Sequence, residues 1–135
     1  MSSFRIFDIA GSGLSAQSMR LNTVASNLAN ADSVAGSAEG TYRARMPVFS
    51  TAPGIGGKDT PGVRVTDIDQ SRTAPERRYE PGHPLADGEG YVYAPNVNIV
   101  EQMVDMISAS RSYQSNVEVM NTAKELTLAT LNLGK

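Results

Sequence analysis

The sequence predicts a mainly α chain with a small β-rich insert, in which long N- and C-terminal helices form a discontinuous coiled-coil domain. Three observations carry this. All seven prolines lie between Pro47 and Pro95, and nine of the twelve glycines lie between Gly36 and Gly90, so the two ends can be long helices and the middle cannot. Residues 3–31 place Phe7, Ala10, Leu14, Gln17, Leu21, Val24, Leu28 and Ala31 in a three–four alternation with one polar interruption, which is a heptad seam. Residues 96–133 repeat apolar side chains at the same spacing through Val100, Val104, Ile107, Tyr113, Val117, Met120, Leu128 and Leu131, with Ser110 and Lys124 at the two missing steps. Residues 1–35 and 96–135 are therefore expected to form one helical domain, and residues 36–95 a small β module.

The first helix has an unusual opening half, because Gly11, Ser12, Gly13, Ser15, Ala16 and Ser18 are all small. Each glycine inside a helix costs about 1 kcal/mol relative to alanine. Two readings follow: the glycines admit another backbone at close range, or they break the helix and the firm part begins near Leu14. In the middle, Thr41 to Phe49 alternates as a strand, and Pro47 confines it to an edge or a bulge. Val63, Val65 and Ile68 mark a second strand, Arg77 to Glu80 a short third, and Tyr91 to Tyr93 a fourth. The last helix should begin at Asn98, three residues before Glu101 in the manner of a capping box, since Pro95 blocks helix before it.

Helices of such unequal length cannot cover each other. About 28 residues face about 36, so an antiparallel pair leaves roughly 10 Å of overhang. Its outer flanks would expose Met103, Met106, Val119 and Leu126, a patch that on a monomer is either a partner site or an aggregation liability. Arg111 and Lys124 have no carboxylate four residues upstream, so the last helix needs packing against something else. Asn22, Asn27, Asn30, Gln114, Asn116 and Asn121 lie on or beside the seams, where a buried amide fixes register and a solvated one does nothing.

Several functions find no support. With a net charge of −2 and no cysteine in 135 residues, the chain offers no basic surface for nucleic acid and no thiolate chemistry. His83, the only histidine, sits in the turn Gly82-His83-Pro84 near Asp87 and Glu89 without a nucleophile or ligand spacing. Gly54 to Gly57 with Lys58 lacks the spacing of a phosphate loop. Tyr79, Tyr91 and Tyr93 read as strand packing, and Arg77-Arg78 as a solvated or interfacial pair. No catalytic, cofactor, metal or small-molecule site is expected. No apolar run reaches the roughly 18 residues of a membrane span, and Asp8 interrupts any secretory h-region. Work outside the cytosol would need export without a cleaved signal.

Ser12-Gly-Leu-Ser-Ala16 followed by Val24-Ala-Ser-Asn-Leu-Ala-Asn-Ala-Asp32 resembles the N-terminal signature of the bacterial flagellar axial family, which includes rod, hook and hook-associated subunits. Asn96 to Ile107, Ser110 to Tyr113, Asn116 and Asn121 to Lys124 resemble that family's C-terminal helix. Tyr42 to Phe49, Tyr79 to Asp87 and Gly90 to Asn98 are similar to its short proximal rod subunits. The resemblance implies a structural subunit of a helical tube that transmits motor torque across the periplasm, in the basal body of the flagellum. It implies export through the flagellar type III apparatus, with terminal helices that order on assembly. The partners it implies are other copies of the chain, other proximal and distal rod proteins, and the rod–membrane-ring adaptor. A helical export adaptor that clasps a client is the alternative. The residues expected to carry the assembly contacts are Leu14, Leu21, Val24, Asn27, Leu28 and Asn30 near the N-terminus. On the last helix they are Val100, Met103, Val104, Met106, Ile107, Tyr113, Asn116, Val117, Met120, Asn121, Leu128 and Leu131.

Overall fold

A computed structural model describes residues 3–54 and 60–135. Two long helices enclose two short antiparallel sheets in the order α1 (Ser3–Ala29), β1 (Arg45–Ala52), β2 (Gly62–Gln70), β3 (Glu76–Tyr79), β4 (Tyr91–Ala94) and α2 (Ile99–Leu133). The predicted class is the observed one. The part of the expected glycine loop at residues 55–59 lies outside the described residues.

α1 is continuous through Gly11 and Gly13, which decides between the two readings of that stretch. Nothing approaches within 4 Å of a side chain added at Gly11. At Gly13 an added Cβ would meet Asn116 Oδ1 at 2.9 Å and Asn116 Cγ at 3.1 Å. Gly13 is thus where α2 comes close. α2 starts at the expected cap: the Asn98 side chain accepts a hydrogen bond from Glu101 N at 3.2 Å. Its 35 residues extend ~52 Å at the helical rise.

The helices pair antiparallel, because Asn27 near the end of α1 bonds Gln102 near the start of α2, while Gly13 faces Asn116. These two contacts lie two heptads apart on both helices. Continuing that register puts the start of α1 near Leu126, and α2 overhangs by roughly two turns, ~10 Å.

The β1–β2 hairpin lies against α1: Val63 N donates to Ser12 Oγ at 3.1 Å, and Val63 and Val65 share a cleft with Ser12, Ala16 and Met19. Strand β1 begins four residues later than expected. The residues before it are drawn aside, with Thr41 Oγ1 donating to Ser37 O and Tyr42 OH donating to Asn27 Oδ1. Pro47 stands in a strand with one neighbour, next to a bulge where the pairing passes from Val48↔Asp67 to Phe49↔Val65. Both features tolerate its missing N–H.

The second sheet pairs Glu76 with Ala94 through Tyr79 with Tyr91. Val92 and Ala94 are completely buried, and Ala35 adds a bridge to Tyr93. Its loop closes at Gly90, whose φ of +85° and 3.0 Å clearance from Tyr79 Cε2 exclude a side chain. Asp87 organises the same loop, accepting from Glu89 N and Tyr91 N at 2.9 Å each. The Tyr91 amide is the largest influence and holds the Asp87 carboxyl below its ordinary value. Desolvation opposes it; the Glu89 amide, the Arg77 charge and the Tyr93 hydroxyl add to the lowering. A depressed carboxylate stabilises the fold above its ordinary range, and the contribution is lost as pH falls through the depressed value.

Three outcomes are expected. Gly11→Ala should stabilise the chain by up to about 1 kcal/mol, whereas Gly13→Ala should gain less or destabilise, since Asn116 must give way; chemical denaturation compares them. Gly90→Ala should lower the melting temperature and disturb the amide resonances of the second sheet. In acid titration, the Glu89 and Tyr91 amide resonances should move together with a midpoint below the ordinary aspartate range.

Candidate assembly surface

The buried seam between the helices is small and polar. Buried on α1 are Ala10, Thr23, Val24 and Asn27, with Ala16 on the side of the hairpin and Ala31 just past the helix end, and on α2 Gln102, Ala109 and Ala123. Small side chains let the two helix axes approach, and the polar ones are hydrogen-bonded except Gln17, whose buried Oε1 has no partner among the described residues. Asn27, 1% exposed, uses its full capacity. Its Nδ2 donates to Arg45 O and to Gln102 Oε1, each at 2.9 Å. Its Oδ1 accepts from Arg45 N at 2.9 Å and from Tyr42 OH at 2.8 Å. Ser26 Oγ lies 3.1 Å from the same tyrosine oxygen. One amide thereby joins α1, the start of β1 and the start of α2. Beyond it, Arg20 and Asp105 form an ion pair of 2.9 Å across the helices.

This corrects the expected seam of α2. The apolar stripe marked by spacing does not turn towards α1 over its first turns. Val100, Val104 and Ile107 are 70%, 60% and 56% exposed, and Met103 lies exposed with them. The face against α1 instead runs through Gln102, Met106, Ala109, Asn116, Met120, Ala123 and Thr127, each buried or half-buried. Met106, expected on an outer flank, is therefore on the inner side. The physical reason is closeness: Gly13 and the alanines make a shallow contact that valine and isoleucine would hold apart.

The remaining residues expected at contacts divide in the same way. Leu14, Leu21 and Leu28, placed in the seam by the heptad spacing, are half-buried along one edge of α1, and Val24 is buried. Asn30 and Asn116 bond their own helix, donating to Ser26 O and Ser112 O. Tyr113 and Val117 sit at the margin of exposure, while Asn121, Leu128 and Leu131 are exposed. The amides of Asn30 and Asn116 thus do not bridge the helices; Asn27 does. Gln102, Tyr42 and the Arg20–Asp105 pair were not expected, because each meets a partner distant along the chain.

The features weighed for chemistry are structural in place. His83 Nδ1 accepts from Leu85 N at 3.1 Å within the turn, and Asp87 is engaged with backbone amides. Among the described residues no three His, Cys, Asp or Glu side chains gather to hold a metal ion. Arg77 stacks over Tyr91 at 4.2 Å and pairs with Glu89 at 3.2 Å. Tyr79 packs edge-on against Tyr91, 5.2 Å between centroids. No described helix is long and apolar enough to cross a membrane.

The site is therefore a surface: an outward apolar face on a long helix whose inner face is already occupied. Comparison with known proteins gives it a context. Residues 7–36 match the family described as "Flagella basal body rod protein", and residues 89–133 the one described as "Flagellar basal body rod FlgEFG protein C-terminal". These spans contain most of α1 and all of α2. The chain is 57% identical to the flagellar basal-body rod protein FlgC of Yersinia enterocolitica over 136 residues, with both chains covered completely. The same protein of Escherichia coli O157:H7 is 56% identical and that of Salmonella typhimurium 54%, each over 137 residues and again over the whole of both chains. On this similarity along its full length, the chain belongs to the flagellar basal-body rod protein family.

Proposed function

We propose that this chain is a structural subunit of the proximal flagellar rod, assembling through its terminal helices into a helical tube that transmits torque across the periplasm. The observation that carries the reading is the exposed stripe of Val100, Met103, Val104 and Ile107 on a helix already packed on its other side. A second layer of helices would bury it. Burial yields about 25 cal/mol per Å², which favours an assembly over a lone subunit. The family relationship supports the setting.

In this reading residues 1–35 and 96–135 act as one discontinuous helical domain, and residues 36–95 as the module beside it. The contacts between subunits include Leu14, Leu21 and Leu28 on α1, with the outward stripe and the overhanging Leu128 and Leu131 on α2. The neighbours are further copies of the chain, other proximal and distal rod proteins, and the rod–membrane-ring adaptor. The chain reaches the periplasm through the flagellar type III apparatus without a cleaved signal, and its helix pair, weakly held in the lone chain, is fixed on assembly. The thin internal seam of α2 suits that step, since a helix held by few buried side chains needs neighbours to persist.

Val104→Asp should abolish swarming and rod incorporation while leaving the thermal unfolding of the purified chain nearly unchanged, because Val104 touches solvent in the single chain. Met120→Asp lies on the inner face and should impair both. Flagella built normally by the Val104→Asp chain would overturn the reading.

A further inference from the structure

The β1–β2 hairpin lies against α1 and beside α2: at its start Met46 shares a cleft with Asn98, Glu101 and Gln102, and at its far end Pro61 and Val63 share one with Ser112 and Asn116. The hairpin's outer face follows from its register. Val63 and Val65 turn towards α1, and the bulge after Val48 places Met46, Val48, Asp67 and Asp69 together on the opposite face. Met46 pairs with Asp69 and Val48 with Asp67, and all four are exposed. One row is apolar, and the adjacent row is acidic up to Arg64, which the same alternation places on this face and whose Nε donates to Ser50 Oγ at 3.4 Å. Asp67 and Asp69 each accept a backbone N–H, from Ile68 and Gln70. Neither has a cation partner among the described residues.

The outer face of α2 has the reciprocal pattern. Val104 and Ile107 flank a shallow groove of about 350 Å³ that ends at Arg111. Arg111 is exposed and, among the described residues, pairs with no carboxylate.

We propose that the outer face of the hairpin in one copy receives the outer face of α2 from a second copy of this chain. Val104 and Ile107 of the second copy lie on Met46 and Val48, and Arg111 reaches Asp67 and Asp69. The spacings agree. Ile107 and Arg111 are one helical turn apart, about 5–6 Å, and alternate strand residues stand about 7 Å apart, with the two rows about 5 Å apart. A purely apolar neighbour would leave two carboxylates facing it, whereas a helix carrying an unpaired arginine beside its apolar ridge matches both rows. The two faces differ, so the contact is heterologous, and each added copy leaves a face free for the next. The inference rests on the rod reading and names the partner for the same surface.

The chain contains no cysteine, so introduced thiols report without background. Val48→Cys and Ile107→Cys combined in one chain should give dimers and higher multiples when isolated basal bodies are treated with a short thiol-reactive crosslinker. Adding Arg111→Glu should cut that yield at least tenfold, and adding Asp67→Arg with Asp69→Arg should restore it. If the first pair builds no rods, Met46→Cys with Ser108→Cys is read in the same way. Rods that contain the chain but yield no multiples would overturn this docking and leave the rod reading standing. Crosslinking indifferent to Arg111→Glu would overturn it too. Failure of the rod reading is separate: it appears as normal flagella from the Val104→Asp chain.

Discussion

Asn27 is the point on which the arrangement depends. A buried primary amide has two donors and two acceptor sites, and each one left empty costs about 1–3 kcal/mol. Here all four are filled, by Arg45 N, Arg45 O, Tyr42 OH and Gln102 Oε1. Only one orientation of the amide allows this, so α1, β1 and α2 are held in a single register. The amide meets Arg45 as a neighbouring strand would, through both backbone groups, and so substitutes for a ladder partner where β1 begins. Asn116 above Gly13 marks the same register two heptads away.

That register explains where the large apolar residues stand. Gly13, Ala10, Ala109 and Ala123 make a seam thin enough for close approach, and burying them removes little apolar area. Most of the apolar area of α2 is left on its other side. A lone helix pair built this way is weakly held, because packing of an amphipathic face supplies most helix stability. The geometry that weakens the single subunit is the one that equips it to join others. α1, pinned by Asn27 and by the Ser12 contact with Val63, orients α2 so that the stripe points outward.

The architecture was legible because proline and glycine punctuate only the middle of the chain and because both ends hold a heptad period. The α1 seam was legible only in part. Ala10, Val24 and Ala31 are buried where the alternation put them. Phe7, Leu14, Gln17, Leu21 and Leu28 are only half-buried, and Gly13, Arg20 and Asn27, which meet α2, lie off it. The Asn98 cap and the edge position of Pro47 could be read from local chemistry. The inner face of α2 could not. Hydrophobic spacing shows that a helix has an apolar side; it does not say whether that side meets its own chain or another. For Val100 to Ile107 the outward answer depends on Gly13 and Gln102, whose partners lie 103 and 75 residues away in sequence. The Asn27 network was hidden for the same reason, since Arg45 enters it through its backbone, which carries no sequence signature.

The central claim is that α2 keeps a polar, closely packed face for its own chain and an apolar face for neighbouring subunits. Thiol accessibility of a Val104→Cys chain tests it most directly. The account predicts rapid maleimide labelling of the purified chain and strong protection of the same thiol in isolated basal bodies that contain it. Equal labelling in the two states, at a thiol shown to be in the rod, would contradict it.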